Sequence, residues 1–550
     1  MSTPYRPRWP VLLTLVGGVA LLIALASLLS EPAGEARPVR GGSYVEGVAG
    51  APSRINPLFA AFNEVDQDLT SLIFSGLMRL GPKGNVQPDL AERWILSPDG
   101  LIYSFQLRRG LSWHDGEALD ANDVLFTIRA IQDPDFRGDP VLAELFRDVQ
   151  LEAPDAYTVV MTLPQPFAPF LAYTTLGILP EHLLGELDAA GLYATRFNQR
   201  PIGSGPFRLV DLRTDRATLK SNDDYHLGAP LLETVELLFY HDDAALMTAL
   251  RAEEVDGALL RPGLNPEDLA FIDSESRWDR RSLHTTTYSL VYLNPRVPAF
   301  EDVEVRRALQ HGLDREALIT AVLAGQALPV DSPIMRDLWA YVSDPDAYAF
   351  DLVRAEALLD DAGWLRTKEG REREGVPLQF TLATSDDPTQ SRVAQEIARQ
   401  WGELGIQVDV QASGVSQFTE EVLLPRQFDA ALRTISPPGP DPDPYPFWHS
   451  TQALDKGLNL ANFSNRDADR LLENARLTPS VGERAEEYRA FQEIFAQELP
   501  AILLSTPTYQ YVVRSDVQGM SPGLLFDLSS RFYDVHRWSL ESEAPSDDGE

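Results

Sequence analysis

The chain has 550 residues, 44% of them apolar and 23% charged, a composition that suits a folded globular protein of several domains or one large multi-lobed body. With 82 acidic against 47 basic residues the formal charge is −35, and no Arg or Lys cluster offers the basic face that nucleic-acid binding needs. Cysteine is absent, which excludes disulfides, thiolate metal sites, Cys nucleophiles, iron–sulfur clusters and a lipid-modified Cys tether.

In chain order, Arg6 and Arg8 precede an uncharged apolar run over 9–30, long enough to cross a bilayer as a helix. Cations before it and acidic residues after it put the N-terminus inside and the body outside. Residues 1–31 therefore read as a signal anchor; Ala24-Leu25-Ala26 leaves a cleaved signal peptide as the alternative. Residues 32–42, rich in Pro, Gly and charge, read as a linker. Alternation of Leu101, Tyr103, Phe105 and Leu107 predicts a half-buried strand. Asp120 then caps a helix carrying Val124, Leu125, Ile128 and Ile131, with Asp123 in the capping-box position. A second alternating strand is expected over 234–240. Asp314 caps a helix that stops at Gly325, and another runs from Asp351 to Gly363. A strand over 378–384, a helix over 390–404 and a strand over 406–410 make a βαβ unit, so this part should hold a partly parallel sheet. Residues 541–550 are acidic and polar and read as a disordered tail.

Three constellations invite chemistry and fall short of it. His114 and Asp115 are adjacent, so on an extended chain their side chains diverge rather than pair as base and orienting carboxylate. His241-Asp242-Asp243 has no second histidine at metal-ligand spacing. Gly203-Ser204-Gly205-Pro206 lacks the Gly-Lys-Ser/Thr ending of a phosphate loop and leads into a strand pattern. A Gly-x-Ser-x-Gly nucleophile elbow is missing as well, so the chain does not read as an enzyme and calls for no cofactor or metal.

One long ordered series of motifs remains: Ile55-Asn56-Pro57-Leu58-Phe59, Phe74-Ser75-Gly76-Leu77, Pro88-Asp89-Leu90-Ala91-Glu92-Arg93-Trp94, and Leu111-Ser112-Trp113-His114-Asp115-Gly116. Gly203-Ser204-Gly205-Pro206-Phe207, Val255-Asp256-Gly257, Asp302-Val303-Glu304-Val305-Arg306-Arg307-Ala308-Leu309 and Asp441-Pro442-Asp443-Pro444-Tyr445 continue it. The series resembles the extracytoplasmic solute-binding proteins of peptide and nickel-type ABC importers (solute-binding family 5, oligopeptide- and dipeptide-binding-like), over about 43–540. The resemblance implies an α/β, two-lobed periplasmic-binding-protein-like clamshell of type II with an extra α+β subdomain. Lobe one would combine 43–80, 205–289 and 505–540, the extra subdomain would be 81–204, and lobe two 290–504. It also implies a monomer at the outer face of the membrane that captures a solute, foremost a peptide, and hands it to an ABC permease. An oligosaccharide or other polar solute, or a sensor role, is the alternative.

The resemblance further places ligand contacts at Phe59 and Asn63, at Tyr292 and Asn294, and around the loop that follows Phe428-Asp429. The aspartate by which peptide-binding relatives hold the ligand amine falls on Pro438, and Pro437, Pro438 and Pro440 remove N–H donors from the same loop. Asp441 or Asp443 could supply the missing charge. Arg433 is either paired with a carboxylate or aimed at the ligand, and Trp448 could form an aromatic wall.

Overall fold

A computed structural model of the protein describes residues 40–343, 348–437, 439–454 and 457–541. The anchor or leader over 1–31, the linker up to residue 39, Pro438 and the tail beyond Glu541 lie outside the described residues. No helix among the described residues is long and apolar enough to cross a membrane.

Local signals became local structure. Strand Ile102–Leu107 buries Tyr103, Phe105 and Leu107, and helix Ala121–Gln132 opens with the reciprocal Asp120/Asp123 capping box. Helices Arg315–Leu323 and Leu352–Asp361 start at caps Asp314 and Asp351; Gly325 and Gly363, both at positive φ, follow their ends. The expected βαβ unit is present. Gln379–Ser385 and Gln407–Ser413 pair in parallel, and helix Pro388–Glu403 connects them with Val393, Ile397 and Trp401 buried.

Among the described residues twelve strands form one continuous sheet. Its first half holds Phe207–Leu212, Arg216–Ser221, Thr234–Tyr240, Ser43–Ala49 and Gly257–Leu260; its second holds Tyr288–Leu293, Ala430–Ile435, Gln379–Ser385 and Gln407–Ser413. Strand Ala501–Arg514 belongs to both. Its start pairs with Tyr288–Leu293 (Tyr292 opposite Ala501), and its end pairs with Gly257–Leu260 and Trp278–His284 (Trp278 opposite Arg514). The chain also crosses between the halves at residues 285–287. Each half has an apolar core on both faces. In the second, Leu290, Tyr292, Ala431 and Leu503 point one way, and Val291, Leu432, Ile502 and Leu504 the other. A separate antiparallel sheet of Ala91–Leu96, Ile102–Leu107, Thr158–Thr162 and Gln150–Asp155, covered by helix Ala121–Gln132, shares its core with the first half.

A buried ion cluster closes the first half. Arg531 Nε donates to Glu46 Oε1 at 2.8 Å, and both its Nη atoms donate to Asp68 at 2.7 Å. Tyr44 and Tyr511 hydroxyls donate to Glu46 Oε2. One guanidinium thereby joins the first described strand, helix Glu64–Ile73 and the C-terminal turn Leu528–Phe532.

His114 fastens the separate subdomain to the Gly203–Gly205 segment. Its Nε2–H donates to Gly205 O at 3.0 Å, while Nδ1 accepts the Gly203 N–H at 3.2 Å, an arrangement only the neutral ring can make. Asp115 pairs instead with His182 at 2.9 Å, so the adjacent residues do not act as one unit. The two glycines are required by close approach, since a Cβ on Gly203 would lie 1.9 Å from Ile73 O. Burial holds the His114 imidazole down to about 4 against an ordinary 6.5. Because the unfolded chain takes up this proton first, the stability His114 confers is complete above pH 6.5 and is lost as pH falls toward about 4. His114→Gln, which keeps a donor and an acceptor but does not titrate, is expected to flatten the fall in Tm between pH 6.5 and 4, followed by circular dichroism.

Candidate ligand-binding cleft

A cleft of about 400 Å³ opens where the two sheet halves and the separate subdomain meet. Helix Glu64–Ile73 contributes Gln67, Thr70 and Ser71 along one side, which their spacing of three and four residues places on a single face. Tyr173 and Thr175 come from the subdomain, Phe526 and Ser529 from the C-terminal segment. The second half supplies Pro437, Gly439 and Pro440. This lining is aromatic, hydroxyl and amide in character with two carboxylates, Asp139 and Asp527, and two of its three loop residues have no N–H to give. Gly439 sits at φ +76 against Tyr173, where a Cβ would come within 2.2 Å of the Tyr173 hydroxyl, so only glycine lets the loop approach the subdomain this closely.

The residues singled out from sequence surround this cleft more than they line it. Phe59 is buried, packed against Tyr193 and Phe136 with ring centroids 5.2 and 6.0 Å away. Asn63 caps helix Glu64–Ile73, accepting from the Val65 and Asp66 amides, and its Nδ2 donates to Ala51 O. Asn294 Nδ2 donates to Phe428 O at 2.7 Å and its Oδ1 accepts the Arg296 amide, which fixes the turn after strand Tyr288–Leu293. Trp448 is fully buried, edge-on to Phe495 at 4.7 Å and 6.1 Å from the ring of Tyr292. Tyr292 is buried too, and its hydroxyl meets no hydrogen-bond partner among the described residues. Burial pushes that phenol up and the charge of Arg433 opposes the shift. Arg433 itself is half-buried opposite Leu290 and forms no ion pair among the described residues.

Asp441 and Asp443 are both engaged. Arg484 Nη2 and Nη1 donate to Asp441 Oδ1 and Oδ2 at 2.6 and 3.0 Å, and the same guanidinium donates to Ala475 O and the Tyr488 hydroxyl. Arg476 Nε and Nη2 reach Asp443 Oδ2 at 2.8 and 2.7 Å while its guanidinium lies 3.6 Å over the Tyr445 ring. Burial raises the Asp441 carboxyl and Arg484 pulls it back. The sequence reading that one of these carboxylates takes a ligand amine therefore meets a physical obstacle, since each would first have to leave a guanidinium. Together with Trp448 they enclose a small apolar cavity of about 20 Å³ behind the proline loop, and they act as its scaffold. Pro438, onto which the resemblance places the amine-binding aspartate of relatives, lies outside the described residues.

The lining residues that sequence reasoning missed are Gln67, Thr70, Ser71, Tyr173, Thr175, Phe526 and Ser529. A signal existed for the first three, because a polar stripe interrupts an otherwise buried helix that carries Val65, Leu69, Leu72 and Ile73. His241 is exposed and meets only its neighbour Asp242, and no group of three metal-ligating side chains occurs among the described residues.

Two α/β sheet halves joined by a shared strand flank this cleft. The family model for bacterial extracellular solute-binding proteins, family 5 Middle, matches residues 85–455, and the chain belongs to that family. The oligopeptide-binding protein AppA of Bacillus subtilis (strain 168) is 28% identical, over 95% of this chain and 98% of its own. Protein XP55 of Streptomyces lividans is 31% identical over 88% of this chain and 86% of its own. The structure of B. subtilis AppA in complex with a nonapeptide overlays with a TM-score of 0.64 at 27% identity, covering 92% of this chain and all of that one. A murein tripeptide-binding protein, MppA, in its unliganded open form shares the fold at a TM-score of 0.79 and 18% identity, over 92% of this chain and 98% of that one.

The Asp441–Arg484 pair is buried on both sides, with side chains 8% and 4% exposed, so removing one charge leaves the other unpaired in a dry setting. Asp441→Asn is expected to lower unfolding stability by about 3 kcal/mol, measured by urea denaturation.

Proposed function

We propose that this protein is the substrate-binding component of an ABC importer that captures a peptide in the 400 Å³ cleft and delivers it to a membrane permease. The cleft itself carries the reading. It is walled by both sheet halves, and the chain crosses between those halves only at residues 285–287 and along strand Ala501–Arg514 among the described residues. Two adjacent strand crossings form a hinge, so one half can swing on the other as lobes of a clamshell and bury a solute. The peptide-binding names of AppA and its nonapeptide complex support peptide as the solute. Gln67, Thr70, Ser71 and Ser529 would hydrogen-bond the ligand backbone, Tyr173 and Phe526 would cover its side chains, and Pro437 and Pro440 would form a rim that donates no hydrogen bond. The protein acts as a monomer on the extracytoplasmic face, and the apolar run over 9–30 supports delivery there, as an anchor or as a cleaved leader. No bond is made or broken; release follows reopening at the permease.

A second reading, an oligosaccharide ligand, is favoured by the hydroxyl, amide and aromatic lining. Native mass spectrometry of the full chain purified in mild detergent from an expressing cell separates the two. A ladder of adducts at peptide masses is the expected result. A single discrete sugar mass would replace peptide by saccharide.

A further inference from the structure

An open depression of about 370 Å³ adjoins the cleft on the side of the separate subdomain. Pro140, Val141, Glu144 and Leu145 of helix Pro140–Phe146 form one wall, and Phe167 and Tyr173 form the other. Tyr173 lines the cleft as well, and so do Asp139 and Leu142 at the start of the same helix. One short helix therefore lines both spaces. They differ in chemistry, for the cleft carries hydroxyls, amides and two carboxylates, whereas the depression is apolar except for Glu144 and the Tyr173 hydroxyl. Glu144 is 70% exposed and paired with Arg147, so its charge stays in water.

Apolar side chains on this helix are left in water although a core lies beneath them. Phe146 is fully buried against Phe170, with ring centroids 5.4 Å apart. Val141 is 42% exposed, and Leu142 and Leu145 are only half-buried. Leaving such surface in water costs stability, and contiguous apolar surface beside a cleft is the mark of a binding site. The walls are also held in place by the protein itself. Asp139 caps the helix by accepting the Val141 amide at 2.8 Å, and Gln132 Nε2 donates to Phe146 O at 2.8 Å, which ties the far end to helix Ala121–Gln132. The Ala168 amide donates to Arg476 O at 2.7 Å and fastens the Phe167 segment to the second half, while Gly439 packs against Tyr173. A side chain entering here meets preformed walls, which lowers the entropy cost of holding it.

We infer that this depression is a subsite for an apolar side chain of the ligand held in the cleft, through which the separate subdomain selects among captured solutes. The inference rests on the peptide reading above. The shared Tyr173 and the shared helix name the occupant, since a ligand backbone in the cleft has this depression beside it. A charged side chain would lose hydration there and find only Glu144 in return. A leucine- or phenylalanine-sized group would instead remove its own surface and that of Val141, Leu145 and Phe167 from water.

The test is competitive capture from a synthetic library of short peptides of mixed length and composition. Ligand-free full chain is incubated with the library and freed of unbound peptide, and the retained peptides are sequenced by mass spectrometry. Apolar residues are expected to be enriched about tenfold over the library at one position, the discrimination that a few buried methylene groups provide. Val141→Ser should reduce that enrichment, and Val141→Asp, which places a carboxylate in a first helical turn that accepts one, should shift the preference toward Lys and Arg. Circular dichroism and Tm confirm that each variant is folded. Absence of apolar enrichment at every position, whether or not Lys or Arg is enriched instead, overturns the subsite and leaves the peptide reading standing. An apolar enrichment unchanged by both substitutions does the same. Folded chain that retains no peptide of any length overturns the peptide reading, and the subsite with it.

Discussion

Strand Ala501–Arg514 is the constraint on which the architecture depends. At about 3.3 Å per residue its 14 residues reach roughly 45 Å, enough to cross from one core to the other without a break in backbone hydrogen bonding. Leu503 is locked among the apolar residues of the second half and Val513 among those of the first, so neither end can slide without moving a core. What remains free is twist and bend at the middle, where the pairing partner changes from Tyr288–Leu293 to Trp278–His284.

Much of this fold was legible in the sequence because it depends on local chemistry. Alternation marks strands such as Thr234–Tyr240, aspartates at 120, 314 and 351 mark helix starts, and glycines at 325 and 363 mark ends; each involves residues a few positions apart. Long-range pairing left no such trace. The parallel match of Ser43–Ala49 with Thr234–Tyr240 spans some 190 residues, and nothing in either segment names the other. The cleft was harder still. Thr70, Thr175 and Ser529 are ordinary polar residues in three unrelated stretches, and only folding brings them to one wall.

The acidic residues show the same limit. From sequence, Asp441 and Asp443 are available charges beside a proline loop. In the fold, Arg484 and Arg476 reach back from more than 30 residues away to hold them. A carboxylate's role depends on who stands opposite, and that is a tertiary fact.

The Arg531 cluster has a consequence for the order in which the molecule can be made. Glu46 and Arg531 are 485 residues apart, so the earliest described strand cannot neutralise its carboxylate until nearly the whole polypeptide exists. Until then Glu46 and Asp68 repel each other and resist desolvation, which discourages premature compaction of the first half. The guanidinium of Arg531 is thus a clasp that closes on Glu46 and Asp68 only once segments far apart in the chain have met.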